Sequence, residues 1–213
     1  AGPTIEKIDP VRAITNFSSG KMGFALAQEA RKLGAYVKMI TGPVNLPDPH
    51  GVDITRVQTG VEMHSAVMSI CREMKIDLFI AAAAVADWKA VYKSEKLKKD
   101  SNTPSEIKWE LNPDIAFDVS TLPQNRRPIT VGFAAETEEI IKISDKLEKK
   151  RKNKKLDMLI ANKVPESFNS ENIEVNFIQK DKPVWICKGT KNHVAKIILE
   201  TTQGMMSNNA NQS

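Results

Sequence analysis

Asn16, Ser18, Ser19 and Gly20 stand close together in Ile14-Thr15-Asn16-Phe17-Ser18-Ser19-Gly20-Lys21-Met22-Gly23, a polar, glycine-punctuated loop running into an amphipathic segment. Serine hydroxyls accept from the free N–H groups of a first helical turn, so Ser18 and Ser19 are good N-cap residues. Gly20 and Gly23 let another group approach the backbone closely. Such a helix start presents unpaired N–H groups and the positive end of the helix dipole, which suits phosphate or carboxylate. Asn16, just ahead, carries an amide that both donates and accepts. The same residues also suit an ordinary capped helix, and a lone glycine-rich turn does not decide between the two.

Two basic runs offer counter-charge. Lys96-Leu97-Lys98-Lys99 lies in a long irregular stretch. It is either a solvated charge run or a segment that closes over polyphosphate, expelling water and strengthening the charge interactions inside. Lysine serves there as a compact point charge. The run Lys146 to Lys155 is mostly a solvent face, yet Lys150 and Lys154 are one helical turn apart and share a face. They continue the stripe begun by Ile140, Ile143 and Leu147. The late turns of a crossover helix point away from the strands' carboxyl edge. These two lysines are therefore expected to need a bent path or a neighbouring subunit to reach a ligand there.

Three carboxylates, Asp87, Glu136 and Asp157, fall at strand ends or starts. Helix capping and turn bonds would account for them. Asp87 also suits a ribose hydroxyl, a base amino group, or Mg²⁺ held through water. No serine–histidine or cysteine–histidine arrangement can be assembled, which argues against an enzyme-bound covalent intermediate. Electrostatic and positional catalysis on a phosphorylated substrate fits better.

The elements that must position these residues follow from periodicity. Lys21 to Leu33 places Met22, Ala25, Leu26, Ala30 and Leu33 on one helical face, and Val61 to Met74 repeats that pattern. Ala35 to Thr41 and the region of Ile54 and Val57 predict short strands. Asp77 to Ala86 is apolar on both faces, as a covered central parallel strand would be. Its small C-terminal residues leave room for a ligand, and open α/β sheets bind ligands beyond the carboxyl ends of their strands. Residues 88–111 are expected to form a flap with a strand or hairpin of its own. Asn112-Pro113-Asp114 starts a helix, with proline near its first position. Ile129 to Glu136 and Asp157 to Val164 predict strands, with one long helix, Thr137 to Lys155, between them. Ile173 to Gln179 and Pro183 to Lys188 flank a turn and predict a hairpin, and His193 to Thr202 predicts a closing helix. The alternation specifies an α/β fold: a three-layer, doubly wound, mostly parallel sheet, Rossmann-like, with a C-terminal antiparallel hairpin.

Composition bounds the rest. The chain has 213 residues, 41% of them hydrophobic, which is enough for a core in one domain, 1–205, with residues 206–213 as a frayed tail. The net charge of +5 favours anionic partners without choosing among them. Two distant cysteines in apolar segments read as core thiols, which points to the cytoplasm. They and three scattered histidines give no metal-ligand spacing. No apolar run is long enough to span a membrane, and no signal peptide is visible. Ala1-Gly2-Pro3-Thr4 reads as the turn after an absent strand, as expected of a piece excised from a longer polypeptide.

Several segments together resemble bacterial phosphopantothenate–cysteine ligase, which is often the C-terminal half of a bifunctional coenzyme A biosynthesis protein. Ala1-Gly2-Pro3-Thr4-Ile5-Glu6, Asp9-Pro10-Val11-Arg12 and Asn16 to Gly23 look like its opening signature. Ala82-Ala83-Ala84-Val85-Ala86-Asp87-Trp88 resembles its second motif, and Lys96-Leu97-Lys98-Lys99 its K-x-K-K motif. Asn112-Pro113-Asp114-Ile115, Gly132-Phe133-Ala134-Ala135-Glu136 and Asp157-Met158-Leu159-Ile160-Ala161-Asn162 follow in order. Ile5 replaces the family's usual arginine. The decarboxylase half is missing, so neither FMN nor decarboxylation is expected, and the helix around Lys146 to Lys155 carries extra residues.

The resemblance implies that 4′-phosphopantothenate is activated by CTP, with Mg²⁺ assisting, to an acyl-cytidylate that the cysteine amine then attacks. It implies that Asn16 bonds the activated acyl group and that Ser18 to Gly20 hold anionic groups. Ala81, Ala82 and Ala83 would admit the nucleotide, and Asp87 would fix it. Lys96 and Lys99 would neutralise the α-phosphate region. Pro113, Asp114, Ile115, Ala116 and Phe133 match nucleotide-binding positions, and Lys150 and Lys154 match the family's late lysines. A homodimer is implied, with the flap region contributing to the neighbour's site.

Two rivals make different demands. A nicotinamide-dependent oxidoreductase needs a G-x-G-x-x-G turn after its first strand, which this chain lacks. A nucleic-acid-binding module should interleave aromatics with its lysines, and Lys146 to Lys155 has none.

Overall fold

The computed structural model describes residues 1–98, 106–164 and 170–210. The expectations for Lys99, for residues 99–105 of the flap and for 211–213 lie outside them. The chain opens with a hairpin that periodicity did not predict, β1 (Ile5–Lys7) and β2 (Ala13–Thr15), paired antiparallel. Then come α1 (Lys21–Lys32), the parallel pair β3 (Lys38–Thr41) and β4 (Asp53–Arg56), and α2 (Gly60–Glu73). Thr59 and Glu62 start α2 with a reciprocal capping box. β5 (Leu78–Ala81) leads to the flap pair β6 (Trp88–Ala90) and β7 (Trp109–Leu111), which are antiparallel, and then to α3 (Ile115–Ser120). β8 (Ile129–Glu136), α4 (Ser144–Asn153), β9 (Met158–Lys163), β10 (Asn172–Gln179), β11 (Trp185–Thr190) and α5 (Lys191–Ala210) complete the chain.

The main sheet has five strands in the order β11-β10-β9-β8-β5. β5, β8 and β9 run parallel, and the predicted terminal hairpin, β10 with β11, adds two antiparallel strands. Side chains of successive strand residues point to opposite faces, so each face carries its own core. On one face Val131, Met158, Ile160, Val175 and Phe177 pack with Leu26 of α1 and Val194 and Ile198 of α5. On the other, Leu159 and Ala161 meet Leu147 of α4, while Phe79 meets Val119 of α3 and Met63 of α2. This is the expected three-layer α/β arrangement, with a sheet more mixed than predicted. Phe177 is fully buried and stacks on Trp185 at 3.8 Å between ring centroids. Burial of one such side chain stabilises by roughly 1.5–3 kcal/mol.

Several predicted boundaries moved. The apolar run Asp77 to Ala86 is strand only over Leu78–Ala81. Ala84 instead exchanges hydrogen bonds with the start of the chain: its N–H donates to the Gly2 carbonyl at 2.9 Å and its carbonyl accepts from Thr4 N–H at 3.2 Å. The Gly42 N–H donates to the Ala1 carbonyl at 3.0 Å, so residues 1–4 join the end of β3 to the loop after β5. Gly42 is required there, because a Cβ would lie 1.7 Å from the Pro3 carbonyl oxygen. The single helix expected over Thr137 to Lys155 begins as a 3-10 turn, Ile140–Ile143, before α4. Asp114 caps α3, so Pro113 precedes the cap instead of standing near the first helical position. The closing helix runs on through residues 206–210, which were expected to be frayed.

Candidate functional site

The carboxyl end of β5 opens into the loop Ala82–Asp87, and side chains from both flanks hold that loop. On one flank the Asn16 amide donates to the Ala84 carbonyl at 2.9 Å. On the other, the Asn112 amide donates to the Ala86 carbonyl at 2.8 Å and its backbone N–H to the Asp87 carbonyl at 2.9 Å. From beneath, Thr4 Oγ1 accepts from Ala86 N–H at 3.3 Å. These bonds leave the exposed Asp87 carboxylate without a hydrogen bond or ion pair among the described residues. Ala82 and Ala83 pack against the two cores from opposite sides of the sheet.

The helix start beside Asn16 differs from expectation. The N-cap of α1 is Gly20, in the left-handed region at φ 75°, with no side-chain cap bond. The conformation requires glycine, and a Cβ there would also lie 2.7 Å from Val44 Cγ1. Ser18 and Ser19 are therefore not N-caps; their hydroxyls accept only long bonds, 3.4 Å from Gly20 N–H and 3.5 Å from Lys21 N–H. At this same end Lys21 pairs with Glu171 at 2.5 Å, and Lys191, the first residue of α5, donates to the Ser170 carbonyl. Burial, then the positive charge of Lys21, holds the Lys191 ammonium below its usual range. The approach of Lys21 to Lys191 was not legible in the sequence: Lys21 opened a predicted helix, but the closing helix was expected to begin at His193, and the pairing depends on α1 packing against α5.

The late lysines reach the carboxyl edge within one chain. Lys150 Nζ lies 3.2 Å from Glu136 Oε1, at the last residue of β8. Lys154 Nζ lies 3.1 Å from Asp114 Oδ2, at the head of α3. Neither a bent helix nor a neighbouring subunit is needed, because a lysine stem spans the offset. Ile115 is buried in the core behind α2, so only its backbone can meet a ligand, while Pro113, Ala116 and Phe133 are half-buried. Asp157 is occupied: it accepts from Arg127 at 2.9 Å and from Thr130 N–H at 2.7 Å.

Lys96 is exposed, and no hydrogen bond or ion pair joins it to Asn16, Asp87 or Lys150. Its segment is tied instead to the β1–β2 hairpin, where Lys93 N–H donates to the Ile8 carbonyl at 2.9 Å and Leu97 N–H to Asp9 Oδ2 at 3.1 Å. Two clefts open elsewhere. One, of about 580 Å³, is lined by Glu139, Lys163, Asn176 and Ile186, and one of about 570 Å³ by Glu6, Glu62, Lys89 and Tyr92. The candidate site itself is an open edge built from loops. Among the described residues no three His, Cys, Asp or Glu side chains are grouped to hold a metal ion, and no helix is long and apolar enough to cross a membrane.

The fold is that of an α/β domain with an amide, a carboxylate, lysines and helix starts gathered at the carboxyl ends of its parallel strands, the edge beyond which open α/β sheets place their ligands. More particularly, the chain belongs to the family described as DNA/pantothenate metabolism flavoprotein C-terminal domain, which matches residues 1–205. It is 48% identical over 186 residues to the coenzyme A biosynthesis bifunctional protein CoaBC of Vibrio cholerae, covering 85% of this chain and 45% of that protein. It is 43% identical over 187 residues to CoaBC of Escherichia coli strain K12, with the same coverage of 85% and 45%. The chain thus spans about half the length of the curated relatives it matches. Its fold is similar to the crystal structure of the C-terminal domain of CoaBC, with a TM-score of 0.79 and 34% identity over 98% of this chain and 93% of that one. A Cab2 mutant in complex with phosphopantothenate-cysteine shares the fold at a TM-score of 0.78 and 15% identity, covering 98% of this chain and 85% of that one.

Proposed function

We propose that this chain is a CTP-dependent ligase that joins 4′-phosphopantothenate to cysteine in coenzyme A biosynthesis. The carboxylate of 4′-phosphopantothenate attacks the α-phosphorus of CTP, and pyrophosphate leaves with the electron pair of the broken P–O bond. The cysteine amine then attacks the acyl carbon of the acyl-cytidylate, loses a proton, and CMP departs. Membership of the family and the CoaBC relatives support the ligase reading. The single observation that carries it to these residues is the clasp of the Ala82–Asp87 loop by Asn16 at 2.9 Å. It holds the Asn16 amide against the small-residue loop that ends at Asp87, where a nucleotide would lie.

Each residue then has a physical task. Asn16, exposed, turns its amide to the acyl group as charge builds on the carbonyl oxygen. Ser18, Ser19, Gly20 and the first turn of α1 hold the substrates' anionic groups. Asp87 binds the nucleotide. Lys150 and Lys154 exchange their carboxylate partners for phosphate oxygens. Lys96, with Lys99, neutralises the α-phosphate. Mg²⁺ carried on the triphosphate supplies further neutralisation. Asp87 fits that ion, since Mg²⁺ takes one or two carboxylates plus substrate phosphates and this carboxylate has no competing partner among the described residues.

The same reading makes the protein a cytoplasmic homodimer. Trp88, Trp109 and Leu111 on the flap pair and Tyr92 just beyond it are 52, 44, 66 and 52% exposed, an apolar surface that a second copy would cover. The free, buried Cys71 and Cys187 fit a reducing compartment. The test is product analysis after mixing the protein with 4′-phosphopantothenate, cysteine, Mg²⁺ and either CTP or ATP. The expected result is 4′-phosphopantothenoylcysteine with one pyrophosphate per product, and with CTP preferred. Cleavage of CTP to CDP and phosphate, or no amide product with either nucleotide, overturns the proposal.

A further inference from the structure

Asp9 is 1% exposed, although it lies on the turn of a surface hairpin. Five N–H donors converge on its carboxylate: Val11 N–H at 2.9 Å, Arg12 N–H at 2.8 Å, Arg12 Nε at 2.9 Å, Arg12 Nη2 at 2.5 Å and Leu97 N–H at 3.1 Å. Arg12 Nη2 also donates to the Leu97 carbonyl at 2.9 Å. The Asp9–Arg12 pair therefore grips the donor and the acceptor of Leu97, the residue next to Lys96. Lys93 N–H, bonded to the Ile8 carbonyl at 2.9 Å, pins the segment again just upstream. A hairpin turn needs only the two bonds from Val11 and Arg12 N–H groups. The bonds to Leu97 reach a distant segment and contribute nothing to that turn.

We propose that Asp9 is a positioning residue for the nucleotidyl-transfer step: with Arg12 it fixes the backbone from which Lys96 reaches the α-phosphate. A lysine head is a point charge on a flexible four-carbon stem, so its placement is only as good as the anchoring of its backbone. Displacement of a charge by about 1 Å from its working position costs up to 10²-fold in rate. Asparagine at position 9 keeps an acceptor for one or two of the donors but loses the charge that holds the guanidinium across Leu97. The Arg12 cation and the hydrogen bonds it makes also keep the Asp9 carboxyl far below its ordinary value, so the clamp is charged throughout the physiological range.

This inference rests on the role proposed above for Lys96, and its test separates the two. Pyrophosphate release from CTP and 4′-phosphopantothenate is measured for Asp9→Asn, Lys96→Gln and the double variant, with hydrogen exchange of the peptide covering residues 93–98. Asp9→Asn is expected to lower kcat by about 10- to 100-fold with little change in the CTP KM. It is also expected to raise exchange at 93–98 while peptides of β8 and β9 keep their protection. In the Lys96→Gln background it should cost less than about 2-fold more, because the group it positions is already gone. If Lys96→Gln alone leaves the rate intact, the reading of Lys96 fails. If Lys96→Gln slows the reaction and the two losses multiply in full, or exchange at 93–98 does not rise, the positioning role of Asp9 is overturned. Arg12→Lys, which keeps the charge but loses the fork that spans Asp9 and Leu97, serves where Asp9→Asn does not fold. It is held to the same outcomes.

Discussion

Lys154 Nζ lies 3.1 Å from Asp114 Oδ2, tying the foot of α4 to the head of α3. Asp114 has a second task, since its Oδ1 accepts from Phe117 N–H at 3.1 Å and caps the helix. Both residues of the pair are more than a third exposed, at 36 and 43% of the side chain, so the ion pair itself contributes little. Asp114→Ala should therefore cost about 1 kcal/mol, mostly from the lost cap. Lys154→Ala should cost less than about 0.5 kcal/mol yet raise the CTP KM several-fold. Urea denaturation and initial rates on the two variants read these effects separately.

Gly42 closes the end of β3 against residues 1–4. A Cβ there meets the Pro3 carbonyl oxygen at 1.7 Å and the Pro3 carbonyl carbon at 2.8 Å, both backbone atoms that cannot swing aside. Gly42→Ala is expected to destabilise by about 3 kcal/mol or more. The loop after β5 should also loosen, because Ala84 is bonded to the same short segment. Denaturation midpoints measure the first effect, and amide exchange at residues 82–87 the second.

Acid should weaken the fold in a defined window. Asp9 is held below its ordinary 3.8 chiefly by Arg12, and Glu148 and Glu171 below 4.5 chiefly by Arg151 and Lys21. A carboxylate whose pKa is lower folded than unfolded binds fewer protons in the native state. Its contribution is complete above the unfolded value and is lost as pH falls through the folded one. The melting temperature should hold near neutrality and fall from about pH 5 downward, and Asp9→Asn should flatten part of that fall. A melting temperature that rises on acidification would contradict the assignment.

Asn16 and Lys96 serve different steps in the proposed reaction, so their variants should fail differently. Lys96→Gln should slow pyrophosphate release by about 10²-fold or more, since it removes a charge aimed at the α-phosphate. Asn16→Ala should still release pyrophosphate but let the acyl-cytidylate accumulate, because it impairs the fate of the activated acid. Rapid-quench assays with labelled CTP, with and without cysteine, resolve the two. Equal loss of both steps in each variant would contradict this division.

How far the sequence carried these conclusions depends on the range of each interaction. Ile129 to Glu136 is a strand with the predicted bounds, because a run apolar on both faces between polar ends has one good use in a covered sheet. The same logic overextended β5. Ala82 to Ala86 is just as apolar, yet its hydrogen bonds go to Gly2, Thr4, Asn16 and Asn112, which no local pattern reveals. Ile140 and Ile143 are three apart, a spacing that α and 3-10 geometry share, so the break before α4 was invisible. The place of Asp87 beyond the carboxyl end of a strand was legible from the small residues that precede it. The grip of Asp9 on Leu97 was not, since it joins two loops whose partners are set only by the packed fold.

The central claim is that a cytidine nucleotide sits between the Asn16 loop and the Lys96 segment while a carboxylic acid is activated on it. A crystal structure of the protein with CTP bound, with every subunit of the assembly considered, tests that most directly. The account predicts the α-phosphate within hydrogen-bonding reach of a Lys96 ammonium, with the Asn16 amide facing the position of the incoming acyl group. A nucleotide bound away from both residues in every subunit would contradict it.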